Sequence, residues 1–134
     1  MKAKEADCTT FPCDALSVGV RQFNEGRYFA CHETLEELWK EEKGDVRNLY
    51  KGILQIGIGL LHWQKGNHGG ACALLEGGIG YLRPFAPVCR CIDVQALVQA
   101  ADLFLQQLRD LGAEHMADIP VSMVPRIGWF EVPG

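Results

Sequence analysis

Apolar residues recur along most of this chain at intervals of three and four, the period of an α-helix, and Gly, Asn and Pro punctuate the stretches between them. The cleanest case is residues 94–108, where Val94, Leu97, Val98, Ala101, Phe104, Leu105 and Leu108 mark one face and Asp93 stands in the N-cap position. A first helix is predicted from the candidate cap Asp14 to about Glu25, with Leu16, Val20 and Phe23 inward and Gly26 closing it. A second covers Tyr28 to Trp39 and runs out in the charged segment 40–45. A third extends from about Val46 to Lys65, where Gly66-Asn67 stops it. Its Tyr50, Ile53, Leu54, Ile56, Ile58, Leu60, Leu61 and Trp63 surround the axis, which assigns it to the middle of the domain.

A fourth helix, from about His68 to Arg83, contains Gly69, Gly70, Gly77, Gly78 and Gly80 before Pro84 and Pro87 end it. Each glycine lowers helix propensity by about 1 kcal/mol, so close backbone packing is the expected compensation. No segment alternates as a strand does. The predicted fold is all-α: a single-domain bundle of about five helices over residues 14–111. An N-terminal segment, 1–13, precedes it, and an extended tail, 112–134, with three prolines and Trp129-Phe130, is laid over it.

Within the second helix the periodicity raises a question of chemistry. At about 100° per residue, Tyr28, Phe29, His32, Leu35, Glu36 and Trp39 share a stripe, with Glu33 and Glu37 at its edge. A histidine and a carboxylate thus fall among aromatic and aliphatic side chains, and a buried carboxylate without a partner costs several kcal/mol. The third helix supplies two further polar residues, Gln55 and His62, on one line about 10 Å long, with Gly52 and Gly59 beside it. A short polar connection makes the second and third helices antiparallel neighbours, which allows Gln55 and His62 to face His32 and Glu36. His32, Glu36 and His62 would then form a divalent metal site, with Gln55, Trp39 and Glu33 in support. The donor set does not choose among Zn, Fe, Mn and Ni. Position 36 is Glu, so the zinc-protease pattern His-Glu-x-x-His is absent. A second reading needs no metal: the same four residues close a buried hydrogen-bonded network that fixes helix register.

The bulk properties narrow the function classes. The chain has 134 residues, enough for one core, and a net charge of −4 with scattered Lys and Arg, so no nucleic-acid partner is expected. The apolar run 53–63 is about half the length a membrane span needs, so no membrane partner is expected either. The start lacks the apolar core of a secretory signal, which points to a cytoplasmic protein with reduced thiols. Cys31 and Cys72 read as small core residues. Cys8, Cys13, Cys89 and Cys91 form two pairs whose spacing is not that of a zinc knuckle. His68 reads as an exposed first-turn residue, His115 as part of a solvated loop, and no thiol–imidazole pair is evident.

The segment Phe23-Asn24-Glu25-Gly26-Arg27-Tyr28-Phe29, the run His32-Glu33-Thr34-Leu35-Glu36-Glu37-Leu38-Trp39, Gly52-Ile53-Leu54-Gln55 and Leu60-Leu61-His62-Trp63 through Gly66-Asn67 and Gly70-Ala71 together resemble the DUF309 family. The resemblance covers about residues 14–83. It implies a small all-helical protein of the kind found in bacteria and archaea, with no established function. His32, Glu36 and Trp39 match the family's His-x-x-x-Glu-x-x-Trp/Tyr pattern, which has been suspected of metal binding. If a metal binds, metal-dependent hydrolysis is the first activity to consider, with a metal-bound water and Glu33 or Glu37 as base. The rival class is a non-catalytic helical interaction module. In it, glycine-lined faces and Trp129-Phe130 dock a partner protein or a second copy, and the His/Glu/Gln network is structural.

Overall fold

Two nearly identical helix closures set the first four helices into hairpins. In a computed structural model that describes Cys8 and residues 13–130, Gly26 and Gly66 adopt φ of +78° and +77°. At the first, the Arg27 amide donates to the Gln22 carbonyl at 2.9 Å and that of Gly26 to Phe23 at 3.0 Å. At the second, Asn67 donates to His62 at 2.8 Å and Gly66 to Trp63 at 3.1 Å. Both are Schellman closures, which glycine makes without a Cβ penalty. They separate α1 (Asp14–Asn24) from α2 (Tyr28–Glu41), and α3 (Arg47–Gln64) from α4 (His68–Leu82). Asn67 then caps α4 by accepting from the Gly70 amide at 3.0 Å, and Asp93 caps α5 (Val94–His115) by accepting from Ala96 at 2.9 Å.

The bundle is all-α, with α3 between its neighbours and one continuous apolar core running from Leu16 to Ile127. One side of α3 meets α1 and α2 at Gly57, where a methyl group would touch Phe23 and Tyr28 at 3.7 Å. The opposite side meets α4 at Gly52 and Gly59. A Cβ on Gly78 would stand 2.9 Å from the Gly52 carbonyl oxygen and 3.0 Å from the Ile56 amide nitrogen. Gly78 is therefore compensated by backbone approach, Gly70 and Gly77 face side chains within the bundle, and Gly69 and Gly80 have nothing within 4 Å of an added methyl group. α5 closes over α4, with Trp63 edge-on to Phe104 at 5.1 Å and Arg109 bonded to Glu76 at 2.9 Å.

Three features depart from the expectations. A two-stranded hairpin, β1 (Val88–Cys89) with β2 (Ile92–Asp93), interrupts the helices. Its turn residues Arg90 and Cys91 have φ of +52° and +64° and carry none of the Asn-Gly or Asp-Gly chemistry that announces such a turn. Cys8 and Cys89 form a disulfide, so these thiols are not reduced and the two cysteine pairs do not stand as four free thiolates. α5 also continues past residue 111, with non-helical dihedrals at Gly112 (φ +69°, ψ −178°), before short 3-10 turns at Met116–Asp118 and Val121–Met123. The remaining tail runs along the hairpin: Asp93 donates to Gly128 at 2.9 Å and Phe130 to Cys91 at 2.7 Å. Asn24 holds it from the other side, its amide donating to the Ile127 carbonyl at 2.9 Å and its Oδ1 accepting from the Ile127 amide at 2.7 Å. None of the described helices is long and apolar enough to cross a membrane.

Candidate functional site: the α2–α3 edge

The inward face of α2 is Tyr28, Cys31 and Leu35, with Leu38 packed against the same core. This series at i, i+3, i+7 and i+10 lies about 60° around the axis from the stripe centred on His32. His32 and Glu36 are consequently at the rim of the core, not in it, with side chains 31% and 43% exposed. His32 Nδ1 approaches a Glu36 carboxylate oxygen at 3.9 Å, an ion pair when the imidazole is protonated and too long for a hydrogen bond. The burial that made a partner obligatory for Glu36 is absent, and water can solvate it. Glu33 is exposed, and Phe29, placed in the stripe by periodicity, is 63% exposed.

The structure does not bring Gln55 and His62 to this edge. Tyr28 lies opposite Gly57, and Trp39 opposite Arg47, so the antiparallel pair sets His32 level with residues 53 and 54. His62 is about 12 Å further along the axis at 1.5 Å per residue. Both residues also face α4. His62 Nδ1 is 3.2 Å from the Asn67 amide nitrogen, and a methyl group on Gly70 would lie 3.1 Å from the imidazole Cγ. A methyl on Gly77 would meet the Gln55 side-chain oxygen at 2.6 Å. Neither the three-ligand set His32, Glu36 and His62 nor the four-residue polar network is assembled. Among the described residues no three His, Cys, Asp or Glu side chains gather as a metal site. The physical reason lies in the two glycine-bearing faces: Gly52 and Gly59 lock the Gln55–His62 side of α3 onto α4, which leaves the other side for α2.

What does assemble on the edge is a cation–aromatic stack. The guanidinium of Arg47 lies 4.0 Å from the Trp39 ring centroid and the ammonium of Lys51 5.0 Å from it. Each such contact contributes about 0.5–1 kcal/mol at an accessible site. Arg47 Nε is enclosed without a hydrogen-bond partner among the described residues, which is a cost of keeping the guanidinium over the indole. The sequence contained this pairing as two cations four residues apart on α3, but the register against Trp39 required the hairpin geometry.

Away from the edge, Cys31 is enclosed and burial pushes its thiol up to about 12, so it is an inert core residue. Cys72 and His68 do form a thiol–imidazole pair, with Sγ 3.9 Å from Nδ1 and 3.8 Å from Nε2. His68 is half-buried, its Nε2 at 2.7 Å from the Leu108 carbonyl oxygen, which it engages as donor. The near-equal distances place the sulfur off the axis of the Nδ1 lone pair, and burial raises the thiol. That pair is not an activated nucleophile. His115 ends α5 and approaches Asp118 at 3.5 Å on the surface.

No solved structure matches this chain. Over 57 residues it is 40% identical to the uncharacterized protein YpuF of Bacillus subtilis (strain 168), a match that covers 42% of this chain and 33% of that protein. The chain thus spans about a third of the length of that relative. The α2–α3 edge lies wholly within residues 16–74, and those residues match the family described as a domain of unknown function, DUF309, as the His32-x-x-x-Glu36-x-x-Trp39 pattern implies.

Proposed function

We propose that this protein is a helical interaction module that pairs with a second copy of itself along the α2–α3 edge. The charge layout of that edge around its aromatic side chains carries the reading. Arg47 and Lys51 cover Trp39 toward one end of α2, Glu33 stands one turn from the exposed Phe29 at the other, and Glu36 and Glu37 lie between them. A twofold contact runs α2 against its copy in the opposite direction, so the basic end of one chain meets the acidic stretch of the other. Phe29 of each copy then approaches Trp39 of its partner, and Trp and Arg are among the residues that dominate interface energetics. The family match supports the reading because its range contains the whole edge and stops before α5 and the tail.

Sedimentation over a concentration series tests this. At roughly 100 µM, where an interface with a Kd of about 10 µM is mostly occupied, the chain is expected to be dimeric and to dissociate as salt is raised. Arg47→Glu should give a monomer, and adding Glu33→Arg should restore the dimer. A wild-type monomer under those conditions sinks the proposal.

A second reading is favoured by one observation, the accessible approach of His32 to Glu36. Two donors on one helix face offer part of a divalent metal site, with the remaining positions left to water. Elemental analysis of untagged wild-type protein beside His32→Ala decides it: about one equivalent lost in the variant supports the site, and none in either overturns it.

A further inference from the structure

A cleft of about 380 Å³ opens where the α1–α2 turn, the end of α3 and the C-terminal tail meet, on a different part of the surface from the α2–α3 edge. Its size falls in the range of small-molecule sites, about 300–1,000 Å³. Phe23, Tyr28 and Trp63 supply aromatic walls, Val121 and Val124 an apolar rim, and Arg126 a guanidinium. The walls are fixed by their own contacts. Phe23 and Tyr28 pack edge to face at 5.6 Å, and Trp63 Nε1 donates to the Met116 carbonyl at 2.8 Å.

The polar groups are arranged for an anion. Arg126 Nη1 donates to the Asn24 carbonyl at 3.0 Å, at the end of α1. That bond uses one donor and orients the rest of the guanidinium, while the two Asn24–Ile127 bonds anchor the backbone next to it. Tyr28 is 4% exposed, and its hydroxyl makes no hydrogen bond among the described residues. The one enclosed side-chain N or O atom among them that lacks a partner is Arg47 Nε. The Tyr28 oxygen therefore reaches open space, and the cleft is the open space this residue borders. Buried tyrosines ordinarily find a partner for that group. Arg126 lines the same cleft, so both polar groups border the space a single ligand would fill. Glu25, also on the rim, is turned to Arg27 at 3.8 Å.

We infer that this cleft binds a small planar aromatic carboxylate, with its ring against Trp63 and Val124 and its carboxylate between the Arg126 guanidinium and the Tyr28 hydroxyl. A guanidinium edge matches a carboxylate in two parallel hydrogen bonds, and the phenol adds a third donor. Removing the charge from the ligand should remove most of the recognition. A protonated base offers no acceptor to either donor, and a neutral amide accepts through its carbonyl without the charge that strengthens the bond.

The test uses naphthalene-2-carboxylate against naphthalene-2-carboxamide, titrated into the full chain by calorimetry and followed by amide chemical-shift mapping. The carboxylate is expected to bind at least about tenfold more tightly, a difference of about 1.4 kcal/mol. Shifts should be centred on residues 23–28, 63–64 and 121–126. Arg126→Gln should abolish the preference for the acid, and Tyr28→Phe, which keeps the ring packing, should weaken the acid several-fold and leave the amide unchanged. Equal binding of acid and amide, shifts centred elsewhere, or no binding of either at millimolar concentration overturns the assignment. An unchanged melting temperature for Arg126→Gln separates lost recognition from lost structure.

Discussion

Glu36 and Cys31 show how strongly the environment of a single side chain depends on where the helix axis points. The two residues are five apart, yet one is solvated and the other enclosed. For Cys31 the consequence is measurable. Its folded pKa, about 12, lies above the ordinary 9.0 because burial disfavours the thiolate. Between those two values the unfolded chain loses a proton that the folded chain keeps, so stability is full below about pH 9 and declines as pH rises toward 12. The limiting slope is about 1.4 kcal/mol per pH unit. Denaturation of wild type and Cys31→Ala across pH 8 to 11 should show a shallower alkaline decline in the variant. Asn24 carries a different burden: its amide makes both bonds that tie the Ile127 backbone to α1. Asn24→Ala should cost about 1–3 kcal/mol and raise hydrogen exchange in residues 124–130 more than in α3.

At the scale of elements, the contact that organises the bundle is the approach of α3 to α4 at Gly52 and Gly78. A methyl group on Gly78 meets the Gly52 carbonyl oxygen at 2.9 Å and the Ile56 amide at 3.0 Å, and neither backbone atom can yield without moving a helix. Gly78→Ala should therefore destabilise by about 1–3 kcal/mol, although alanine is the better helix former. Gly80, on the same helix, is the control, because a methyl group there would have nothing within 4 Å: Gly80→Ala should stabilise by up to about 1 kcal/mol. Chemical denaturation of the two single variants reads both signs. The same crossing explains the candidate site. Glycine on one face of α3 fixed which neighbour that face accepts, and Gln55 and His62 went with it to α4 while His32 and Glu36 remained on α2. The His32–Glu36–Trp39 line was legible from spacing, because it lies within one helix. Its partners Arg47 and Lys51 were not, because a helix hairpin can bring either face of α3 to α2 with the same periodicity.

For the whole molecule, the Cys8–Cys89 bond is a covalent tie across a sequence separation of 81 residues. Closing a loop of that length removes roughly 4 kcal/mol of denatured-chain entropy, and native disulfides typically contribute about 2–4 kcal/mol. Cys8→Ser, or reduction of the wild type, should lower the denaturation midpoint accordingly without changing the helical signal. No loss would mean that the bond forms too rarely in solution to matter. The helices themselves needed no tertiary information: the i, i+3, i+4 apolar pattern, Asn67 and Asp93 as caps and Gly26 and Gly66 as closures all act within a few residues. The disulfide and the tail seated along β2 depend on groups tens of residues apart, which no local pattern encodes, and the hairpin at Val88–Asp93, although local, turns on Arg90 and Cys91, which carry no hairpin signal. The chain alone thus settled the five long helices of the described residues, their approximate bounds and the all-α class. Only the packed structure decided which face of each helix met which neighbour. Periodicity fixes a helix's apolar side to within tens of degrees, whereas the close backbone approach of Gly52 to Gly78 fixes its rotation to within an ångström of contact.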